Sequence, residues 1–136
     1  MEYVAHSGIK FRIEWYIDPA GDMPALAYFN DLSESEQVSV LVLFERIGIF
    51  GRITDKTKFR KERDEIWAFK PQPHRFLCFF VKGKRIVVTN AFHKKTDKLP
   101  AKELQLALRR KADYEERIKK KDYYPADDLW PPDEIP

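Results

Sequence analysis

The sequence predicts an α+β fold, in which helices cover one face of a small, mainly antiparallel sheet of about four strands. A segment of alternating apolar and polar residues lies near the start of the chain, and two helical patterns follow it. Three β-favouring runs separated by turn residues then precede a last amphipathic segment. These three observations predict a two-layer sandwich with an N-terminal helical hairpin and a C-terminal helix.

The first strand is predicted over Ile9–Ile17, where apolar residues alternate with polar ones. A short helix over Ala25–Asp31 follows a turn. Ser33 and Glu36 then have the spacing of a capping box, which predicts that a second helix begins there and runs to about Ile47. Because so few residues separate the two helices, we expect them to fold back on each other as a hairpin.

The middle of the chain alternates between charged and apolar stretches. Arg52–Asp64 is polar and crowded with charge, so we predict a loop there. The runs Ile66–Lys70, Arg75–Val81 and Ile86–Phe92 are rich in β-favouring residues and predict an antiparallel meander of three strands. The pattern leaves open whether the first strand joins this meander in a parallel or an antiparallel direction.

The C-terminal part consists of a helix and a tail of different composition. The helix begins near Pro100 and repeats apolar residues at three- and four-residue steps as far as Ile118. After Lys121 the chain becomes acidic and rich in proline. We therefore predict one domain over residues 1–121 and an acidic, proline-rich extension over residues 122–136.

Composition narrows the class of protein. No apolar stretch approaches the roughly 20 residues that a membrane-spanning helix needs, and the first residues lack the pattern of a signal peptide, so we expect a cytoplasmic protein. The single cysteine, Cys78, excludes an internal disulfide, and its apolar neighbours predict a buried side chain. The three histidines lack the spacing of metal ligands, so we expect neither a metal nor another cofactor.

The net charge of +3 conceals a strong segregation of charge along the chain. Residues 1–51 contain 3 basic and 8 acidic side chains, whereas residues 52–98 contain 14 basic and 5 acidic ones. So basic a middle predicts a polyanionic partner, of which nucleic acid is the most obvious. A solvated, lysine-rich surface accounts for the same charge equally well.

Four residues of the meander could act on the phosphates of a nucleic acid. Arg75 could clamp a phosphate, because its guanidinium is planar and permanently charged, although the residues alone favour an ordinary arginine at a strand end. Lys70, across the turn, could face the same groove. His93 is the candidate acid or base near neutral pH, with Lys94 on a phosphate. Because neighbours on a strand point to opposite faces, His93 and Lys94 can share a groove only if the strand has ended.

Further cations could contact the phosphates of a nucleic acid. Such contacts are independent of base sequence and sensitive to salt. Each of these side chains taken alone fits a solvated charge, and together they predict a docking face: Lys58, Arg60, Lys61, Lys95, Arg109 and Arg110.

In the order of its elements, the chain from about Tyr16 to Arg117 resembles the HigB-like, phage Gp49-like toxins of the RelE/ParE superfamily, and the resemblance is most specific over Ile66–Arg110. The shared order is a strand ending in a basic residue, a short turn, an arginine opening the next strand, and a hairpin. A strand then leads through Phe-x-Lys-Lys-Thr and a proline into a helix rich in Ala, Leu and Arg. The most distinctive matching residues are Phe92, Lys94, Lys95, Thr96 and Pro100.

The resemblance implies a RelE-like fold and the toxin of a type II toxin–antitoxin pair, a metal-independent endoribonuclease that cuts mRNA on the ribosome. A HigA-like helix-turn-helix antitoxin would hold it inactive, and no membrane is involved. RelE-type enzymes place a tyrosine shortly after the last strand, and residues 97–100 contain none. Two alternatives therefore stay open: a ParE-like gyrase-inhibiting toxin, and a noncatalytic, phage-derived RNA-binding accessory protein.

Overall fold

The structure is a computed structural model that describes residues 2–125, and this part of the chain contains six strands and three helices. Strands and helices alternate in blocks along the chain, as an α+β class predicts. In chain order they are β1 Val4–Ser7, β2 Arg12–Trp15, α1 Pro24–Asn30, α2 Glu34–Phe50, β3 Phe59–Arg63, β4 Ile66–Phe69, β5 His74–Val81, β6 Arg85–His93 and α3 Ala101–Lys119.

The strands form one mixed sheet in the order β1-β2-β6-β5-β4-β3. The predicted meander is present as β4, β5 and β6, which pair antiparallel. β2 lies beside β6 and runs parallel to it, with Arg12 opposite Arg85. The direction that the sequence left open is therefore parallel.

The prediction of about four strands was wrong, since six are present between residues 2 and 125. The predicted strand Ile9–Ile17 is shorter, because the chain turns at Gly8, whose N–H donates to the carbonyl of Phe11. A strand that the sequence did not indicate, β1, precedes this turn. The predicted loop Arg52–Asp64 contains β3, in which Phe59 is buried and stacks on Trp67 of β4.

The second helix begins as predicted. Ser33 Oγ accepts from the N–H of Glu36, and Glu36 Oε1 accepts from the N–H of Ser33 at 3.0 Å, which completes a capping box. α2 is longer than predicted and ends at Phe50 rather than near Ile47. The chain continues to Gly51, whose φ of 82° forms the left-handed cap. Gly48 stays helical where the β1–β2 segment crosses it, and a Cβ there would lie 2.5 Å from the His6 ring.

The predicted helical hairpin was also wrong. α1 packs mainly on β6 and β2, while α2 packs on β1 and β2, so each helix buries its apolar side against the sheet. Ala25 of α1 and Phe44 of α2 belong to the same buried cluster as Trp15 of β2. The sheet offers both helices more apolar surface than they could offer each other.

Helices lie on both faces of the sheet, whereas the sequence placed them on one. The α1 and α2 face contains the cluster around Phe44, Phe76 and Val88. The other face packs against α3 through a second cluster, which includes Leu77 and Tyr114. α3 contacts β4, β5 and β6. It does not cover the ends of these strands that lie near the N-terminus of α3, and a hollow is open there.

The last described residues pack back onto the domain. Tyr123 Oη accepts from the N–H of Ile17 at 2.7 Å, and Tyr124 Oη donates to the buried Glu14 at 2.6 Å. Both tyrosines therefore lie at the start of the predicted extension but contact the domain, and residues 126–136 fall outside the described residues. Between residues 2 and 125, no helix combines the length and apolar character that crossing a membrane requires.

Candidate functional site

Three cations from three strand ends meet on the face of the sheet that carries α3. Lys70 directly follows β4, Arg75 is the second residue of β5, and Lys94 directly follows β6. Arg75 and Lys94 line one hollow together with Leu77 and Phe92. Lys70 lies beside this hollow, and its pKa is lowered first by burial and then by the charges of Arg60 and Arg75. The structure therefore brings together three of the four predicted catalytic residues.

Two carboxylates share this hollow with the cations. Glu62 of β3 lies 3.6 Å from Lys70, measured from Oε1 to Nζ, and its other oxygen lies 3.1 Å from Arg60 Nη2. Asp97 Oδ1 lies 2.6 Å from Lys94 Nζ, and the exposed Asp97 side chain is held only at the rim. An exposed ion pair of this kind contributes little stability, so a phosphate could displace Asp97 from Lys94.

Arg75 is half-buried and aimed by polar contacts on its own turn. Its Nη1 donates to the carbonyl of His74 at 3.0 Å and lies 3.4 Å from Gln72 Oε1. Within residues 2–125, no carboxylate forms an ion pair with it. Burial lowers the pKa of both Arg75 and Lys70, while the nearby carboxylate of Glu62 opposes that shift. The guanidinium thus keeps its charge and can accept an anionic ligand.

His93 lies on the opposite face of the sheet from this hollow. Arg75 pairs with Phe92 across the two strands, whereas His93 pairs with His74, and the two histidine rings lie edge to face at 5.6 Å. The strand continues through His93, so alternation separates His93 from Lys94. The structure therefore does not bring His93 to the other three candidate residues.

A bulge in β6 decides this separation. Leu77 pairs with Asn90 while Cys78 pairs with Val88, so Thr89 is an extra residue that reverses the alternation. Without the bulge, His93 would share the face of the hollow and Lys94 would not.

The hollow lies in a part of the chain with a recognisable family pattern. The family model described as "Phage derived protein Gp49-like (DUF891)" matches residues 27–112, which is more than half of the chain. The chain belongs to this Gp49-like family. A comparison with curated proteins finds no match. The matched segment contains Glu62, Lys70, Arg75 and Lys94, so the hollow is part of the Gp49-like domain, whereas β1 and β2 precede it.

A buried histidine joins three elements on the other face of this Gp49-like domain. The His74 side chain is 6 % exposed; its Nε2 donates to Glu36 Oε2 at 2.6 Å and its Nδ1 lies 2.7 Å from Tyr28 Oη. α1, α2 and β5 are thereby linked. The hydrogen bond from His74 lowers the pKa of Glu36 to about 2, and hydrogen bonds from Ser33 act in the same direction.

This linkage predicts a loss of stability in acid. Because folding lowers the pKa of Glu36 from 4.5 to about 2, its contribution is complete above pH 4.5 and declines as the pH falls towards 2. Denaturant unfolding measured between these pH values should show this decline in the wild type. Glu36→Gln should flatten it, whereas Glu34→Gln in the same helical turn should not. An unchanged slope in Glu36→Gln would contradict the assignment.

The remaining predicted RNA contacts have different settings. Lys58, Arg60, Lys61, Lys95 and Arg109 are exposed. Arg60 pairs with Glu62, which lines the hollow, while Lys61 pairs with the exposed Glu65. Lys95 lines a neighbouring hollow with Phe92 and His93.

Arg110 differs from these exposed cations. Its Nη1 donates to the carbonyl of Thr89 at 2.9 Å, and its guanidinium lies 5.8 Å from the centre of the Tyr16 ring. Burial lowers its pKa. Arg110 therefore anchors α3 to the sheet, and the structure does not present it for RNA as predicted.

The sequence pattern does not indicate that Glu62 and Asp97 belong to the hollow. Arg60 and Glu62 are two residues apart, a spacing that places both on one face of a strand. This spacing is informative only if β3 is a strand, and the dense charge of β3 predicts a loop instead. Asp97 follows Lys94 at three residues in a turn, where no periodicity predicts its position.

Proposed function

We propose that this Gp49-like protein is the toxin of a type II toxin–antitoxin pair and cuts mRNA on the ribosome in the cytoplasm. The convergence of Lys70, Arg75 and Lys94 on an open part of the sheet is the observation that carries the proposal. Membership of the Gp49-like family supports a toxin-like function. The resemblance to HigB-like toxins adds the ribosome, mRNA and a HigA-like helix-turn-helix antitoxin as partners.

The cations of the hollow would bind the scissile phosphate. Arg75 is held by its own turn and can donate two parallel hydrogen bonds to phosphate oxygens. Lys94 can join it once the phosphate replaces Asp97. Fixed positive charge of this kind stabilises the additional negative charge of the pentacoordinate phosphate. Exposed cations around the hollow, including Lys58 and Lys95, would contact RNA phosphates independently of base sequence.

Glu62 is the residue we propose as general base in place of His93. Its carboxylate lies in the hollow and could take the proton of the 2′-hydroxyl, whose oxygen then attacks phosphorus. The bond from phosphorus to the 5′-oxygen breaks, leaving a 2′,3′-cyclic phosphate on one fragment. Lys70 would donate a proton to the departing 5′-oxygen, for which its lowered pKa suits it. The second fragment then ends in a 5′-hydroxyl.

Expression of wild type and Arg75→Ala in bacterial cells tests this proposal. We expect growth arrest and cut transcripts with wild type, and loss of both with Arg75→Ala. Arg63→Ala removes a positive charge from an exposed position on β3 and should keep both effects. Each protein's folded state and level are checked by circular dichroism of purified material and by immunoblotting.

The same experiment separates the alternatives. Supercoiling defects without cut transcripts would indicate a ParE-like gyrase inhibitor and would contradict the nuclease. RNA binding by the purified protein without growth arrest would indicate a noncatalytic accessory protein. Cut transcripts that persist in Arg75→Ala would show that the hollow around Arg75 is not the active site.

A further inference from the structure

A second hollow adjoins the one that contains Arg75 and Lys94. It lies where α3 begins, and we term it the α3 hollow; the residues that line it include Phe92, His93, Lys95, Thr96, Lys102 and Glu103. Phe92 and Thr96 also line the first hollow, so the two are continuous. The α3 hollow has a volume of about 380 Å³, within the range of roughly 300–1,000 Å³ that is usual for ligand pockets. A polymer bound at Arg75 therefore has room there for its next unit.

The α3 hollow combines positive charge with an exposed ring. Lys95 and Lys102 are exposed beside it, and either can contact a phosphate. His93 is exposed as well, and its ring meets the buried ring of His74 edge to face at 5.6 Å. Sites for single-stranded nucleic acid combine cations with rings on which bases stack. The α3 hollow therefore fits an unpaired nucleotide beside the phosphate held by Arg75.

Glu103 places one carboxylate among these cations. Its Oε1 accepts from Asn90 Nδ2 at 3.0 Å, and the Asn90 side chain is buried. The bulge at Thr89 turns Asn90 towards α3, and Asn90 Oδ1 accepts from the Thr89 hydroxyl at 2.7 Å. A buried amide thus fixes the position of the Glu103 side chain. The two oxygens of a carboxylate have about four acceptor positions, so Glu103 can accept further hydrogen bonds.

A carboxylate repels the phosphates of RNA, but it suits one kind of base edge. Because it only accepts hydrogen bonds, it favours a ligand with two adjacent donors. Guanine presents such a pair, N1–H and the amino group on C2, on its Watson–Crick edge, which is free in single-stranded RNA. Adenine and cytosine place an accepting ring nitrogen beside the amino group, and uracil flanks its one N–H with two carbonyls. Guanine therefore matches the carboxylate better than the other three bases.

We propose that the α3 hollow binds a guanine nucleotide next to the scissile phosphate and that Glu103 recognises its base. The Glu103 carboxylate would accept from N1–H and the amino group, while the His93 ring stacks on the base. Lys95 and Lys102 would contact the phosphate on the far side of this nucleotide. The inference rests on the proposed function, because it takes the ligand of the hollow to be single-stranded RNA. Glu103 would then determine which sites are cut.

Mapping of cut sites on programmed ribosomes provides the first test. Wild type should favour guanine at one position flanking the cut by about tenfold, the scale expected for a bidentate base contact. Glu103→Gln puts a donating amide in place of one acceptor, so this preference should be lost. The amide oxygen can still accept from Asn90, and circular dichroism checks that the fold is kept.

Glu116→Gln is the matched control for this test. Glu116 lies on the same helix, where it pairs with the exposed Lys120 away from both hollows. Its replacement should keep the wild-type pattern of cut sites. Cutting by wild type without a guanine preference would overturn the inference, and so would the same preference in Glu103→Gln.

Binding to RNA that cannot be cut separates this inference from the nuclease. Fully 2′-O-methylated RNA has no 2′-hydroxyl to attack phosphorus. In fluorescence anisotropy, wild type should bind a short 2′-O-methyl oligouridine about tenfold more tightly when one central base is guanine. Glu103→Gln should bind the two RNAs equally. Guanine selectivity in a protein that cuts nothing would refute the nuclease alone, whereas equal affinity of wild type for both RNAs, or binding to neither, would overturn the inference.

Discussion

Replacing Glu62 with glutamine is expected to slow mRNA cleavage by about 10²- to 10⁴-fold, the usual range for removing a general base. Glutamine keeps the size and the hydrogen-bonding shape of the side chain but cannot take the 2′-hydroxyl proton. The measurement is single-turnover cleavage of mRNA on programmed ribosomes by purified protein. Because substrate binding relies on the cations, the concentration of ribosomes at half-maximal rate should change far less than the rate itself.

Glu65→Gln is the matched control for this prediction. Glu65 is exposed two residues after β3, where it pairs with Lys61 outside the hollow, so its replacement should leave the rate unchanged. Glu62→Asp retains a carboxylate and should restore part of the rate. A purely structural role through Lys70 would lower the free energy of unfolding without a selective loss of the rate constant. A wild-type rate in Glu62→Gln across the pH range would exclude Glu62 as the base.

The parts of the fold that the sequence predicted correctly depend on contacts between residues close together in the chain. The capping box of Ser33 and Glu36 is complete within one helical turn, and the hairpin of β5 and β6 needs only a short turn. β3 depends instead on a contact that its charged sequence does not indicate, the stacking of Phe59 on Trp67 of β4. Edge strands also tolerate dense charge, since one side is open to water, so the charged run FRKER forms a strand although its composition predicts a loop.

The sequence predicts which kinds of residue form the site, but it predicts their positions in the fold only in part. A guanidinium and lysines at successive strand ends indicated a phosphate site, and the structure brings Lys70, Arg75 and Lys94 together. The face of the sheet on which His93 lies depends on whether β6 contains an extra, unpaired residue before His93. A single extra residue, Thr89, determines that, and no periodicity in the sequence marks the bulge.

Phe44→Ala is expected to lower the free energy of unfolding by about 3–5 kcal/mol, as is usual for truncating a buried phenylalanine. Phe44 is fully buried, and its ring centre lies 4.8 Å from that of Phe69 and 5.5 Å from that of Trp15. Truncation leaves a cavity between α2 and the sheet. Denaturant unfolding of the purified variant measures the loss.

Phe50→Ala is the control, because it makes the same truncation in the same helix at a side chain that is 70 % exposed. Its free energy of unfolding should stay within about 0.5 kcal/mol of the wild type. Both substitutions raise helix propensity slightly, so any difference between them reports packing. Similar large losses in both variants would mean that α2 is stabilised by something other than its contact with the sheet. The assignment of Phe44 to the apolar core would then be wrong.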